Sequence, residues 1–509
     1  MCLNNRHKEC LEPDSCLCSV QSNHNLPSIR REILTELERP QSLVSLMEDH
    51  GRQQGLRFDN KSKIDSVAKI LIHYFHFCTI RQTQELLIYT GKIYDNEVAE
   101  TTIKVFAERL IPDCTSRERN ECIEKIKAQT QVDISKFDDD VRFVVVENGI
   151  IDLESVELLP HSPTHYSRIL IPMRYEKPES LDIEKNLENT EFWKFLKRSH
   201  TQATWNDDGD FVTGETNKEN MMTLLEIMAS VFIRQHIDDK AFIFIGNGEN
   251  GKSVFINYLQ TMIGKRNNCN ITLQEIGADK FLTAELDSKI LNTFPDLKND
   301  ELKGVGKIKQ IISGESFRAQ RKHGQPFDLK PMAKLLFSCN QFPAIKDRDK
   351  SFFRRWIIVQ WARNFESDPE KIPNLKEKII ENYDEMCKVF SNVIWISRQL
   401  WKSGKFSFSQ DSYLVRKIWL DNSNPLENFI QKYTKKTNNF VYPVRSMWEF
   451  YRDIMIEKGL VPFGIIQFNR SFAEYYDQGR DNKERVWINV DITFPEDNKI
   501  KSGLDEFLQ

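Results

Sequence analysis

Ala241-Phe242-Ile243-Phe244-Ile245, followed by Gly246-Asn247-Gly248-Glu249-Asn250-Gly251-Lys252-Ser253 and then Val254 to Ile263, is the stretch on which the reading of this chain turns. The opening run is short, apolar and unbroken, as in a fully buried parallel strand. The middle segment fits G-x-x-x-x-G-K-[ST] at every position. The last segment has an apolar pattern free of proline and glycine, so the motif lies between a strand and a helix. In that setting the glycines let successive N–H groups and the helix N-terminus face phosphate oxygens. Gly246, Asn247, Gly248, Glu249, Asn250, Gly251, Lys252 and Ser253 are therefore the candidate nucleotide ligands. Lys252 would reach the β- and γ-phosphates of ATP, and Ser253 would ligate Mg²⁺.

A chain of 509 residues has room for roughly three or four domains. Hydrophobic residues at 40% and charged residues at 29% are the proportions of a water-soluble globular protein. The net charge of -4 means that any nucleic-acid contact must come from local basic patches. No apolar run reaches the roughly 18 residues of a membrane helix, and charges stand where a signal peptide needs its apolar core. The expectation is a cytoplasmic protein, in the host cell if it is viral, with no membrane partner. The ten cysteines read as reduced thiols. Cys2, Cys10, Cys16 and Cys18 crowd near His7 and His24, but a C-x-C spacing without a second paired arm favours a polar tail over a zinc site.

Upstream of the loop, apolar residues at helical spacing from Lys61 to Ala128 predict a small helical region. Phe143 to Val146 and Ile150 to Leu153, joined at Asn148-Gly149, predict a β-hairpin. Met221 to Arg234 is an amphipathic helix leading into the loop's strand. Downstream, Lys289 to Phe294 is an apolar stretch whose carboxyl end delivers Asp296, a candidate metal carboxylate. The base that polarises water stays open among Asp296, Asp300 and Glu301. Ile308 to Glu315 reads as a helix closed by glycine, and Phe317 to Phe327 as a hairpin. Its tip gathers Arg318, Arg321, Lys322 and His323, candidates for phosphate contact with DNA. Ala333 to Cys339 predicts another buried strand, ending at Asn340, which is placed to contact a γ-phosphate or its water. Arg354 and Arg355 precede a further strand at Ile357 to Val359.

This order of elements resembles the superfamily 3 helicases, and looks most like the helicase half of the phage, plasmid and poxvirus primase-helicase family. The resemblance runs from near Lys61 to Val490 and is closest over Phe242 to Trp361. It implies an α/β fold with an AAA+-like P-loop ATPase core, a helical/β N-terminal region and a C-terminal winged-helix domain. The implied divisions are 1–58 (a polar segment), 59–200 (the helicase-associated domain), 201–365 (the ATPase) and 366–509 (a helical linker and the winged helix). Within the winged helix, helices are expected at Leu426–Tyr433, Val444–Lys458 and Gln467–Tyr476, with a strand at Val486–Val490.

By the same resemblance Gly246 to Ser253 is the Walker A loop and Asp296 the Walker B acid, sharing the metal with Ser253. Asn340 is then sensor 1, Lys322 and His323 the DNA-gripping tip, and Arg355 the arginine finger, with Arg354 as its competitor. Two departures are Glu315, where the family more often has Asp, and Pro295 directly before the acid. The implied activity is ATP-driven, ring-forming unwinding of DNA, with ATP and Mg²⁺ as cofactors. The implied partners are single-stranded and forked DNA, a homo-hexamer, and a separate primase or polymerase. The alternative is a replication initiator that uses ATP only to assemble on DNA.

Overall fold

The computed structural model describes residues 49, 51–53, 63–205, 211–246, 248–279, 281–322, 324–346, 349–366, 368–423, 425–457, 462–481 and 484–494. The cysteine-bearing segment of the N-terminus, Asn247 and His323 lie outside the described residues. The chain forms two compact units. The first runs to Asp152 and takes in Leu158–Leu170; the second takes Leu153–Glu157 and everything from Ile171. This division lies upstream of the one expected near residue 200. Residues 171–200 pack within the second unit: Phe192 stacks on Tyr258 with ring centroids 4.2 Å apart, and the Asn186 amide donates to Asn392 Oδ1 at 2.7 Å.

The first unit adds strands to the small helical region expected from Lys61 to Ala128. Helices Lys63–Tyr74, Ala99–Leu110 and Ser116–Gln129 are present, but a four-stranded sheet accompanies them. Its strands include Phe77–Ile80 and Glu85–Tyr89, paired antiparallel with Phe77 opposite Ile88. These are short apolar runs abutting a helix, where periodicity alone does not separate strand from helix. The Asn-Gly hairpin forms as expected, with Phe143 opposite Asp152 and Val146 opposite Gly149.

The second unit is built on a five-stranded sheet in which every pairing is parallel. Its strands are β1 (Ala241–Ile245), β2 (Asn268–Cys269), β3 (Leu291–Phe294), β6 (Lys334–Cys339) and β7 (Trp356–Gln360), in the order β2-β3-β6-β1-β7. A separate antiparallel hairpin comprises β4 (Phe317–Gln320) and β5 (Pro326–Leu329). β1 and β6 are buried at every position, as continuous apolar runs covered on both faces should be. The register aligns Ile245 with both Cys339 and Gln360, and Phe294 with Phe337, so the carboxyl ends finish at one edge. That edge is where open α/β sheets bind ligands.

Helix α1 (Lys252–Ile263) begins after Gly251 and ends at Gly264, both at positive φ. Its buried face carries Phe255, Leu259 and Met262 onto the sheet. On the core side, Trp356 and Trp419 lie 5.2 Å apart between ring centroids, and the Trp419 indole N–H donates to Pro343 O at 2.9 Å. The C-terminal part has helices Pro425–Tyr433, Val444–Glu457 and Ile465–Phe472. Its antiparallel sheet has the order Thr434–Pro443, Glu484–Ile492, Gln478–Asp481. Tyr451 is part of its core, and Trp448 and Phe450 pack against that core.

Candidate functional site: a cleft at the carboxyl edge of the parallel sheet

The glycine-rich curl is tight at Gly246 and Gly251, where nothing larger than glycine fits. A Cβ on Gly246 would collide with the Asn250 amide and the Trp361 carbonyl, and one on Gly251, at φ +94°, would lie 2.9 Å from the Phe195 ring. The Asn250 side chain staples the curl, its amide donating to Trp361 O at 3.0 Å and its oxygen accepting from Lys252 Nζ at 3.0 Å. Lys252 Nζ also donates to Gly246 O at 2.5 Å. The chain after β7 lies along the curl. Phe365 N–H donates to Glu249 O at 2.8 Å, the Asn364 amide to Gly248 O at 3.2 Å, and Lys371 pairs with the Glu249 carboxylate at 2.6 Å.

A cleft of about 640 Å³ opens beside this curl, lined by Gly248, Glu249, Asp296, Asn299, Asn340, Gln341, Asn364, Glu366 and Gln467. It thus brings together three sites the sequence singled out: the glycine-rich segment, Asp296 and Asn340. Asp296 stands two residues beyond β3, and its turn is held by Leu297 N–H donating to Ser338 O at 2.9 Å. Asn340 directly follows β6 and is exposed to the cleft. Of the other acids considered as base, neither Asp300 nor Glu301 lines it, and Glu301 pairs with Lys346 at 2.8 Å.

Lys252 is only 6% exposed. Burial pulls its ammonium down to about 8, opposed in part by the carboxylate charge of Asp296. Cys339 is pushed up to about 12, chiefly by burial, so the thiol there is neutral. Lys252 is thus a poorly hydrated cation facing Asp296, an arrangement that a bound polyanion would complete.

The two arginines separate sharply. Arg355 is 9% exposed and spent inside its own chain, donating to Ser313 Oγ at 3.0 Å and Ser351 O at 2.6 Å. The Arg354 side chain is 51% exposed, with Asp239 at 3.7 Å. Neither lines the cleft. The expected hairpin forms, with Arg318 opposite Asp328 and paired with it at 3.2 Å. Arg321 is held at 2.8 Å by the buried carboxylate of Asp287, while Lys322 is exposed at the tip.

Sequence reasoning missed Asn299, Gln341, Asn364, Glu366 and Gln467. The available signal was position, since Gln341 and Asn364 follow the carboxyl ends of strands whose first polar residues were already in view. Among the described residues no group of three or more His, Cys, Asp or Glu could hold a metal ion by itself. No described helix is long and apolar enough to cross a membrane.

Known proteins match in two places. The family described as "D5 N terminal like" matches residues 49–200. A second family, described only as of unknown function (DUF5906), matches residues 244–355, from within β1 to Arg355. A protein named "Putative helicase 121R" from Invertebrate iridescent virus 3 is 25% identical over 271 residues, which is 49% of this chain and 26% of that protein. The chain thus carries a D5 N-terminal-like region and resembles viral putative helicases.

"Putative helicase L207/L206" of Acanthamoeba polyphaga mimivirus is 22% identical over 253 residues, 48% of this chain and 24% of that one. The chain spans about a quarter of the length of these two viral relatives. Among solved structures, the apo C-terminal region of NrS-1 aligns with a TM-score of 0.42 at 13% identity, over 83% of this chain and 98% of that one.

Proposed function

We propose that the cleft binds and hydrolyses ATP and that the protein is an ATP-dependent, ring-forming DNA helicase of virus or plasmid replication. The observation that carries this reading is the meeting of Gly248 and Glu249 of the glycine-rich curl with Asp296 and Asn340, from three separate strand ends, at one cleft, with Lys252 of the same curl near enough to feel the charge of Asp296. That constellation suits phosphoryl transfer, in which the protein mainly positions groups and stabilises charge. The curl and the N-terminus of α1 would bind the phosphates, with Lys252 exchanging its bonds to Gly246 O and Asn250 for the β/γ-oxygens. Ser253 and Asp296 supply the hard oxygen ligands that Mg²⁺ prefers, and the ion would neutralise charge on the transferred phosphate. Asn340 would orient the attacking water, and Asp296 is the acid best placed to polarise it.

Within the arginine pair, the exposure of Arg354 supports it over Arg355 as the side chain lent to a neighbouring subunit. A trans-acting group must reach beyond its own surface, and Arg355 is committed to Ser313 and Ser351. The exposed Lys322 supports the hairpin as the DNA-gripping element, and the three helices and small sheet after Pro425 support a winged helix. The names of the viral relatives support unwinding over mere assembly on DNA. The test is steady-state ATP hydrolysis by Lys252→Ala. Loss of the phosphate-facing ammonium should lower kcat by roughly a hundredfold or more with the melting profile retained. Near-normal turnover by the folded variant would refute the assignment.

A further inference from the structure

A second cavity, of about 340 Å³, adjoins the same glycine-rich curl and shares Glu249 with the cleft. Gly251 and Val254 of the curl and of the first turn of α1 line it from one side. Phe195, in the middle of helix Glu191–Ser199, and Ile372 and Leu375, in the segment after β7, give it apolar walls. One polar group in it lacks an internal partner. Ser199 is 2% exposed, and its hydroxyl makes no hydrogen bond among the described residues. A buried hydroxyl left unpaired in this way costs stability, and such a group is satisfied when a ligand supplies the partner.

We propose that this cavity receives the base and ribose of the nucleoside triphosphate whose phosphates enter the cleft. The inference rests on the phosphate-binding reading of the curl, and it assigns a part of the site that the glycine-rich motif does not specify. A triphosphate bound along the curl must lay its nucleoside against whatever flanks that curl. Here the flank is a slot with apolar walls, an aromatic side chain and a lone hydroxyl, bordered also by charged residues such as Arg198, Glu370 and Lys376, at the small end of the about 300–1,000 Å³ typical of ligand pockets. A planar heterocycle gains by leaving water for such walls, and a serine hydroxyl can either donate to or accept from its edge. The segment that closes the slot is the one already fastened to the curl through Phe365 N–H and Lys371. Its wall residues are thereby held in register with the phosphate site.

The experiment is calorimetric titration of the full chain with two Mg²⁺ complexes, ATP and inorganic tripolyphosphate. These share the polyanion and differ in the nucleoside. Ile372→Asp and Leu375→Asp place a charge on walls that are only half-buried, so the fold should tolerate them. The wild type should bind ATP at least about tenfold more tightly than tripolyphosphate. Each variant should lose about tenfold in ATP affinity while keeping tripolyphosphate affinity within about twofold, which also reports that the curl is intact. Equal wild-type affinity for the two ligands would overturn the proposal, as would an equal loss for both in the variants. Binding of neither ligand by the wild type would sink the phosphate reading itself, and the proposal with it.

Discussion

His200 and His236 illustrate how single residues set the stability of the second unit. His200 is pulled down to about 4 by burial beside Trp361, with ring centroids 4.7 Å apart. His236 is pulled down to about 3, by burial first and then by the charge of Lys334. In the unfolded chain both would titrate near about 6.5. Their folded values lie below that, so the unfolded state takes up protons first as pH falls. Their contribution is therefore intact above about 6.5 and is lost progressively below it, down to the folded values. Between pH 7.5 and 5.5 each histidine should cost about 1.4 kcal/mol of stability. His200→Phe, which keeps a ring against Trp361, should remove its share. Urea melts followed by tryptophan fluorescence at the two pH values would check this, and an identical pH loss in wild type and variant would contradict it.

At the scale of elements, the proposed function gives the hairpin the coupling between hydrolysis and grip. Arg318 and Arg321 are paired with Asp328 and Asp287, which leaves Lys322 as the exposed cation described at the tip. The Lys322→Ala, His323→Ala double variant should keep basal ATP hydrolysis, since Lys322 does not line the cleft. Its single-strand binding should weaken alike for all sequences, with the slope of log affinity against log salt flattened by about one unit. Measuring that slope for the two proteins decides the matter, and an unchanged slope with wild-type unwinding makes the hairpin an ordinary surface turn.

The hairpin was legible in the sequence because alternation and a glycine at a tip are local signals. So were β1, β6 and Asp296, which depend on runs of adjacent residues. The sheet of the first unit was not, since Phe77–Ile80 and Glu85–Tyr89 are too short and too apolar for periodicity to classify. The burial of Arg355 was equally hidden, because it depends on Ser313, which approaches it only once the fold has formed. The strand Thr434–Pro443 went unread because its Lys-Lys-Thr-Asn-Asn start is polar and pairs through its backbone with Glu484–Ile492.

At the scale of the whole molecule, the account requires neighbouring subunits to complete one another's active sites. Arg354→Ala protein should assemble and bind ATP yet hydrolyse it poorly. Mixing it with Lys252→Ala subunits should restore part of the turnover, because some mixed interfaces then pair an intact Lys252 with an intact Arg354. Hydrolysis titrated against mixing ratio reads this out, and no recovery at any ratio would count against a shared site. The central claim, that ATP hydrolysis at this cleft drives strand separation, is tested most directly by displacement of a labelled strand from forked DNA. The wild type should release the strand only when ATP and Mg²⁺ are present, and folded Lys252→Ala protein should not release it at all. A wild-type protein that hydrolyses ATP on forked DNA yet leaves the duplex intact would contradict the account.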